Sequence, residues 1–101
     1  MTYAHTLPAE LTIYNVVELR NAMLAWLGDE ATSTGMPLAV DASAVADVDG
    51  AGVQLLLSLA RSLADRGREL HLAVASPALS AACHALGAGQ LLTHSATREV
   101  A

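Results

Sequence analysis

Three carboxylates stand close together in the middle of the sequence. Asp41, Asp47 and Asp49 lie between a short apolar segment and a leucine-rich one. Clustered carboxylates bind hard cations such as Mg²⁺, and a single aspartate can accept a phosphoryl group. The chain contains no lysine, so it lacks the ammonium group that assists phosphoryl transfer. Because Asp49 directly precedes a predicted helix, we expect its carboxylate to cap that helix.

A turn of small residues follows this aspartate. Gly50, Ala51 and Gly52 leave backbone N–H groups that could hold an anion at a helix N-terminus. The Asp49 carboxylate would compete for the same donors, and the pattern is too short for a P-loop. We therefore expect the small residues to let a partner protein approach closely, and binding of a nucleotide or another anion stays open.

The remaining reactive side chains do not form a catalytic set. Cys83 and His84 are adjacent, so on a helix their side chains diverge by about 100° and cannot act as nucleophile and base. We expect Cys83 to be a small core residue. His5, His71 and His94 are far apart and lack metal-ligand spacing. We predict no enzyme activity, no metal site and no cofactor.

Composition restricts the classes of partner. With 101 residues the chain is expected to form one domain, residues 1–101. The net charge of −5 opposes binding to nucleic acid or to an anionic membrane. The longest apolar run, at residues 53–60, is too short to span a membrane. A single cysteine and the lack of a signal-peptide pattern predict a cytoplasmic location.

Hydrophobic periodicity predicts strands alternating with helices. The first two strands should form a hairpin or an edge pair, and the later alternation is typical of βαβ crossovers. Residues 95–100 could form a helical turn or a frayed tail. The predicted strands are residues 2–7, 10–13, 38–40, 69–75 and 90–93, and the predicted helices are residues 15–28, 50–66 and 77–86.

The helix after Asp49 has the strongest helical period. A helical wheel places Leu55 about 160° from the centre of the apolar face, where a polar residue is expected. We interpret Leu55 as a partner contact with Gln54, Ser58 and Arg61 around it, or as a single exposed leucine of the kind common on surfaces.

The segment at residues 38–57, LAVDASAVADVDGAGVQLLL, resembles the STAS family. The matching features are a buried strand ending in Asp41, a loop with Ser43 and Val45, and Asp49 opening a turn of small residues into a leucine-rich helix. Order and spacing are similar to the family over about residues 3–93. The family includes anti-sigma factor antagonists and the cytoplasmic domains of sulfate transporters.

The resemblance implies an α/β fold with a four- to five-stranded mixed sheet and three to four helices packed on it. It also implies a partner surface at the loop of residues 43–52 and the helix of residues 54–65. The partner would be an anti-sigma factor, a kinase or another signalling protein, or alternatively an ABC ATPase. The candidate partner-binding residues are Ser43, Asp49, Gly50, Ala51, Gly52, Gln54, Leu55, Ser58 and Arg61.

The family's best-known members carry hydroxyl residues directly after this aspartate, and one of these is phosphorylated. Here the positions hold Gly50 and Ala51, which cannot accept a phosphoryl group. A branch similar to accessory subunits of lipid-transporting ABC complexes keeps a threonine there, and Gly50 departs from that too. The usual phosphoswitch is therefore not expected at this turn, although Ser43, Ser58 and Ser62 remain candidate phosphorylation sites.

Overall fold

A computed structural model of the chain describes residues 5–29, 36–93 and 96–97. These residues form three α-helices, one 3-10 helix and six short strands. The helices are α1 (Val16–Asp29), α2 (Gly50–Ala64) and α3 (Pro77–Ala85), with the 3-10 helix at Gly89–Leu92. The strands are β1 (His5–Thr6), β2 (Glu10–Leu11), β3 (Leu38–Ala42), β4 (Asp47–Val48), β5 (Leu70–Ala75) and β6 (Ala96–Thr97).

The strands form two sheets, and every described pair is parallel. The larger sheet has the order β1-β3-β5-β6, and β2 pairs with β4 in a separate two-stranded sheet. The α/β class and the three helices agree with expectation, but the predicted mixed sheet is wrong for the described residues. The parallel arrangement follows from the helices, because each crosses over between strands of the same direction.

The predicted hairpin of the first two strands is also wrong. The Leu7 N–H donates to the Asp41 carbonyl over 2.9 Å and continues the β1–β3 pairing, whereas the Ala9 carbonyl accepts from Ala46 and Asp47 beside β4. The chain therefore passes from one sheet to the other at Pro8, whose ring provides no backbone N–H for a ladder.

One hydrophobic core joins all the helices to the sheets. Helix α2 buries Val53, Leu56, Leu59 and Leu63, which form one stripe along the helix. Cys83 is buried as expected. The most fully buried side chains are Leu11, Leu38, Val40, Val53, Leu56, Leu63, Leu72, Leu79 and Cys83.

The C-terminal part differs from the sequence prediction. Residues 90–93 were expected to form a strand, but Gly89–Leu92 is a 3-10 helix. The last described strand, β6, lies where a helical turn or a tail was expected, and it pairs with Val74 and Ala75 of β5. Helix α3 begins as predicted, because the Ser76 hydroxyl accepts from the Leu79 N–H over 3.1 Å.

Candidate functional site

Asp49 joins the start of α2 to the turn that follows β2. Its Oδ1 accepts from the Gly52 N–H over 3.1 Å, which makes it the N-cap that the sequence predicts. Its Oδ2 accepts from the Ile13 N–H over 2.9 Å, although Ile13 lies 36 positions earlier in the chain. The N–H groups of Ile13, foremost, and of Gly52 lower the pKa of the Asp49 carboxyl. The Asp49 carboxylate therefore holds the start of α2 and the turn after β2 in place relative to each other.

The turn at residues 12–15 is held in place by its own polar groups. The Asn15 Oδ1 accepts from the Thr12 N–H over 2.9 Å, and the Asn15 amide donates to the Glu10 carbonyl. The Tyr14 N–H donates to the Thr12 hydroxyl over 3.2 Å. Asn15 thus bonds back into the turn that precedes α1. These hydrogen bonds fix the shape of residues 12–15, which we call the braced turn.

This braced turn presents apolar side chains to solvent. Ile13 is 59% exposed, Tyr14 88% and Val17, in the first turn of α1, 69%. We name these three residues the turn patch. The turn patch is not among the predicted site residues, because the sequence pattern places Ile13 in a strand. The available signal was a pair of large apolar residues placed directly before a predicted helix start.

Gly50 and Gly52 have different roles. A Cβ on Gly52 would lie 2.1 Å from the Leu11 carbonyl oxygen, whereas a Cβ on Gly50 would meet nothing within 4 Å. Gly52 is buried, so it lets α2 approach β2 and is not available to a partner. This corrects the interpretation that all the small residues admit a partner. Gly50 is exposed and Ala51 half-buried, and both remain on the surface.

Leu55 is half-buried between α1 and α2, and the prediction that it points away from the core is wrong. The wheel assumed one buried side for α2, but α1 packs on a second side. Gln54, Ser58 and Arg61 are exposed, as expected for the outer ridge of the helix. These three residues also line a cleft of about 580 Å³ on the side of α2 that faces the 3-10 helix.

Ser43 belongs to a local turn at the end of β3. Its N–H donates to the Asp41 Oδ1 over 2.9 Å. Hydrogen bonds from Ser43, first from the hydroxyl and then from the backbone, lower the pKa of Asp41. Ser43 is exposed, but its described hydrogen bonds go to Asp41 and not to α2. Asp41 and Asp49 therefore serve separate turns, since Asp49 caps α2 and Asp41 holds Ser43, whereas Asp47 lies on β4.

Comparison with known families decides the kind of domain. A family model described as "Mlab, STAS domain" matches residues 6–93, which is most of the chain. The chain belongs to the STAS domain family. Comparison with curated proteins found no match, and comparison with solved structures found none either.

Two further findings concern the described part of this STAS domain. Within residues 5–29, 36–93 and 96–97, no group of three or more His, Cys, Asp or Glu side chains is placed to hold a metal ion. In the same residues, none of the helices combines the length and the apolar character that a membrane crossing needs.

Burial raises the pKa of the Cys83 thiol, which favours the unreactive protonated form.

The low pKa of Asp49 predicts how the stability of this STAS domain changes in acid. The folded-state pKa lies below the unfolded value of about 4, so the carboxylate stabilises the fold above that value. This contribution is lost as the pH falls through the lower, folded-state pKa. We expect Asp49→Asn to remove this part of the acid dependence, measured as the free energy of urea unfolding between about pH 7 and about pH 3.

Asp47→Asn is the matched control because it removes the same charge two residues away. Asp47 is exposed on β4 and its carboxylate caps no helix. The control should keep the acid dependence of the unaltered protein. Equal acid dependence in Asp49→Asn and in the unaltered protein would contradict the assigned role of the carboxylate.

Proposed function

We propose that the protein is a cytoplasmic STAS interaction module that regulates a signalling partner, such as an anti-sigma factor or a kinase. The observation that carries this proposal is the exposure of Ile13, Tyr14 and Val17 beside the capped start of α2. Clustered exposed apolar side chains mark interaction sites, and tyrosine is among the residues that contribute most to binding. The docking surface consists of the turn patch together with Gly50, Ala51 and Gln54.

The rigidity of this surface supports a binding role. Hydrogen bonds from backbone N–H groups to the side chains of Thr12, Asn15 and Asp49 hold the backbone of the turn, so little conformational freedom is lost when a partner binds. A preorganised apolar patch with a polar rim is the usual arrangement of a protein–protein contact.

Binding would not depend on phosphorylation at the usual position of the family. Gly50 and Ala51 carry no hydroxyl, and the charge next to them is the fixed carboxylate of Asp49. The lowered pKa of Asp49 keeps that charge constant at neutral pH. We propose that the partner is regulated through the amount of free domain and not through a switch at this turn. Mass spectrometry of protein isolated from its host tests whether Ser43 or Ser58 carries phosphate instead.

The experiment is partner capture with a turn-patch variant. A partner is first identified by affinity purification from native cells and then produced pure. We expect Tyr14→Ser combined with Ile13→Ser to weaken its binding about thirty-fold, which corresponds to about 2 kcal/mol for the loss of an apolar hot spot. Isothermal titration calorimetry gives the Kd. Thermal unfolding should be unchanged, because both side chains are exposed.

Leu86→Ser is the matched control. Leu86 is also a large exposed apolar residue, 55% exposed, but it follows α3 and does not belong to the turn patch. Its replacement should leave the Kd unchanged. A double turn-patch variant that binds as tightly as the unaltered protein would remove this surface from the proposal.

The alternative function is an accessory STAS subunit of a lipid-type ABC transporter, bound to the ATPase on the cytoplasmic side. Resemblance to the STAS branch that serves such complexes favours this role, whereas Gly50 stands where that branch has a threonine. The same turn patch would make the contact. Co-purification with a membrane-anchored ATPase from the membrane fraction distinguishes it from a regulator recovered with cytoplasmic proteins.

A further inference from the structure

A continuous groove runs between α1 and α2, next to the turn patch. It consists of two cavities of about 300 Å³ and about 220 Å³. Both cavities are lined by Arg20, Leu55 and Ser58, so they adjoin at these residues. Leu55 forms part of the floor, since it is half-buried and packs against the core.

The two helices that form the groove run in the same direction. One cavity is lined by Val17 of the first turn of α1 and Ala51 of the first turn of α2. The other is lined by Leu27 and Ser62, near the ends of the two helices. From Ala51 to Ser62 the groove extends about 16 Å, at 1.5 Å per helical residue. This length corresponds to three turns of an α-helix laid along it.

The walls of the groove are apolar and remain open to solvent. Val17 and Leu24 are seven positions apart on α1 and both are more than half exposed. Serine and glutamine side chains of α2 supply the polar rim. An apolar ridge of a third helix, with side chains spaced by three, four and seven residues, fits between two such helices.

Arg20 gives the groove its charge. It is the one charged side chain among the described residues that line either cavity, on a chain whose net charge is −5. A helix that covered Arg20 without a carboxylate would leave a partly desolvated charge unpaired, which is costly. Charge complementarity therefore selects an occupant that brings an acidic residue to the middle of the groove.

We propose that this groove binds an amphipathic helix of the partner protein, with an acidic residue that pairs with Arg20 between apolar residues that contact Val17 and Leu24. The proposal depends on the interaction function proposed above and adds the structural class of the partner segment. Ile13 and Tyr14 of the turn patch would then contact the partner beyond the end of this helix.

The first experiment places a photo-crosslinking amino acid at single positions in the full chain. Position 24 reports on the groove, position 14 on the turn patch, and position 86 is an exposed apolar control. Irradiation in the native cells is followed by mass spectrometry of the crosslinked peptides. We expect position 24 to capture a partner segment with helical apolar spacing and a Glu or Asp, and position 86 to capture nothing.

The second experiment is a charge swap in the purified pair. Arg20→Glu should weaken binding roughly tenfold or more, and replacing the identified partner acid by arginine should restore most of that loss. Arg20→Glu should not change thermal unfolding, because Arg20 is exposed and forms no ion pair within the described residues. Loss without rescue would contradict pairing in the groove.

The crosslinking outcomes separate the two proposals. Capture at position 14 without capture at position 24 would overturn the groove assignment and leave the interaction function intact. Capture at neither position would overturn both. A crosslink from position 24 to a second copy of this chain, to its own C-terminal segment or to a non-helical partner segment would also overturn the groove assignment.

Discussion

Gly52→Ala is expected to destabilise the domain by about 3 kcal/mol or more, at the upper end of the usual cost of overpacking. The new methyl carbon would lie 2.1 Å from the carbonyl oxygen and 2.7 Å from the carbonyl carbon of Leu11. These are backbone atoms of β2, so no side chain can move aside to make room. Glycine to alanine in a helix ordinarily stabilises by up to about 1 kcal/mol, and here the sign reverses.

Urea unfolding followed by the fluorescence of Trp26, the single tryptophan, measures this effect. Gly50→Ala is the matched control, because it makes the same change two residues earlier, where nothing lies within 4 Å. This substitution should stabilise the domain by about 0.5 kcal/mol, because alanine lowers the conformational entropy of the unfolded chain. A Gly52→Ala protein as stable as the control would show that α2 does not approach Leu11 so closely.

The second large effect is expected for Leu56→Ala, at about 2–5 kcal/mol of lost stability. The side chain of Leu56 is fully buried in the middle of α2, and its removal leaves a cavity that the surrounding core fills only partly. Since small domains are stable by about 5–15 kcal/mol, this loss is a large share of the total. The urea midpoint should fall while the slope of the transition stays constant.

Leu86→Ala removes the same atoms from an exposed side chain and should change stability by less than about 0.5 kcal/mol. Comparing the two leucine variants thus separates the effect of burial on stability from the effect of residue type. Equal losses in both variants would contradict the placement of Leu56 in the core. A loss of stability in Leu56→Ala together with a changed slope of the urea transition would indicate that unfolding is no longer two-state.

Local sequence patterns predicted the helices and their starts well. The apolar period of residues 50–66 gave α2, Asp49 caps α2 as expected, and the serine that precedes α3 caps that helix. Helix starts depend on a few neighbouring residues, so sequence carries the signal. The STAS segment at residues 38–57 depends on the same kind of local order, and the family match extends it over residues 6–93.

Strand pairing could not be predicted in the same way. Strands β1, β2 and β4 are two residues long, too short for alternation to indicate which face is buried or which strand is adjacent. The chain passes from one sheet to the other at Pro8, and hydrogen bonds to residues more than thirty positions away decide this path. A sequence pattern that considers neighbours alone favours a hairpin at such a place.

Only part of the candidate site could be predicted from the sequence, for a similar reason. A helical wheel describes one buried side, and Leu55 is half-buried by α1, an element the wheel does not contain. Tyr14 has the residue type of a strand or core position, but it is exposed in a turn that a hydrogen bond from the neighbouring Ile13 N–H to Asp49 holds in place. The residues proposed to contact a partner are therefore placed by tertiary contacts, whereas the residues that cap helices are indicated by the local sequence.

The all-parallel pairing of the described strands has a consequence for folding during synthesis. No parallel pair can close until the crossover between its strands has been made, so β1 stays unpaired until β3 has emerged from the ribosome. The segment from β3 through α2 to β5 closes the most extensive described strand pair of the larger sheet, with five paired residues against two in each of the other pairs. We expect this segment to fold first, and the N-terminal strands with Leu7 and Leu11, which are buried in the folded domain, to stay unfolded until it has formed.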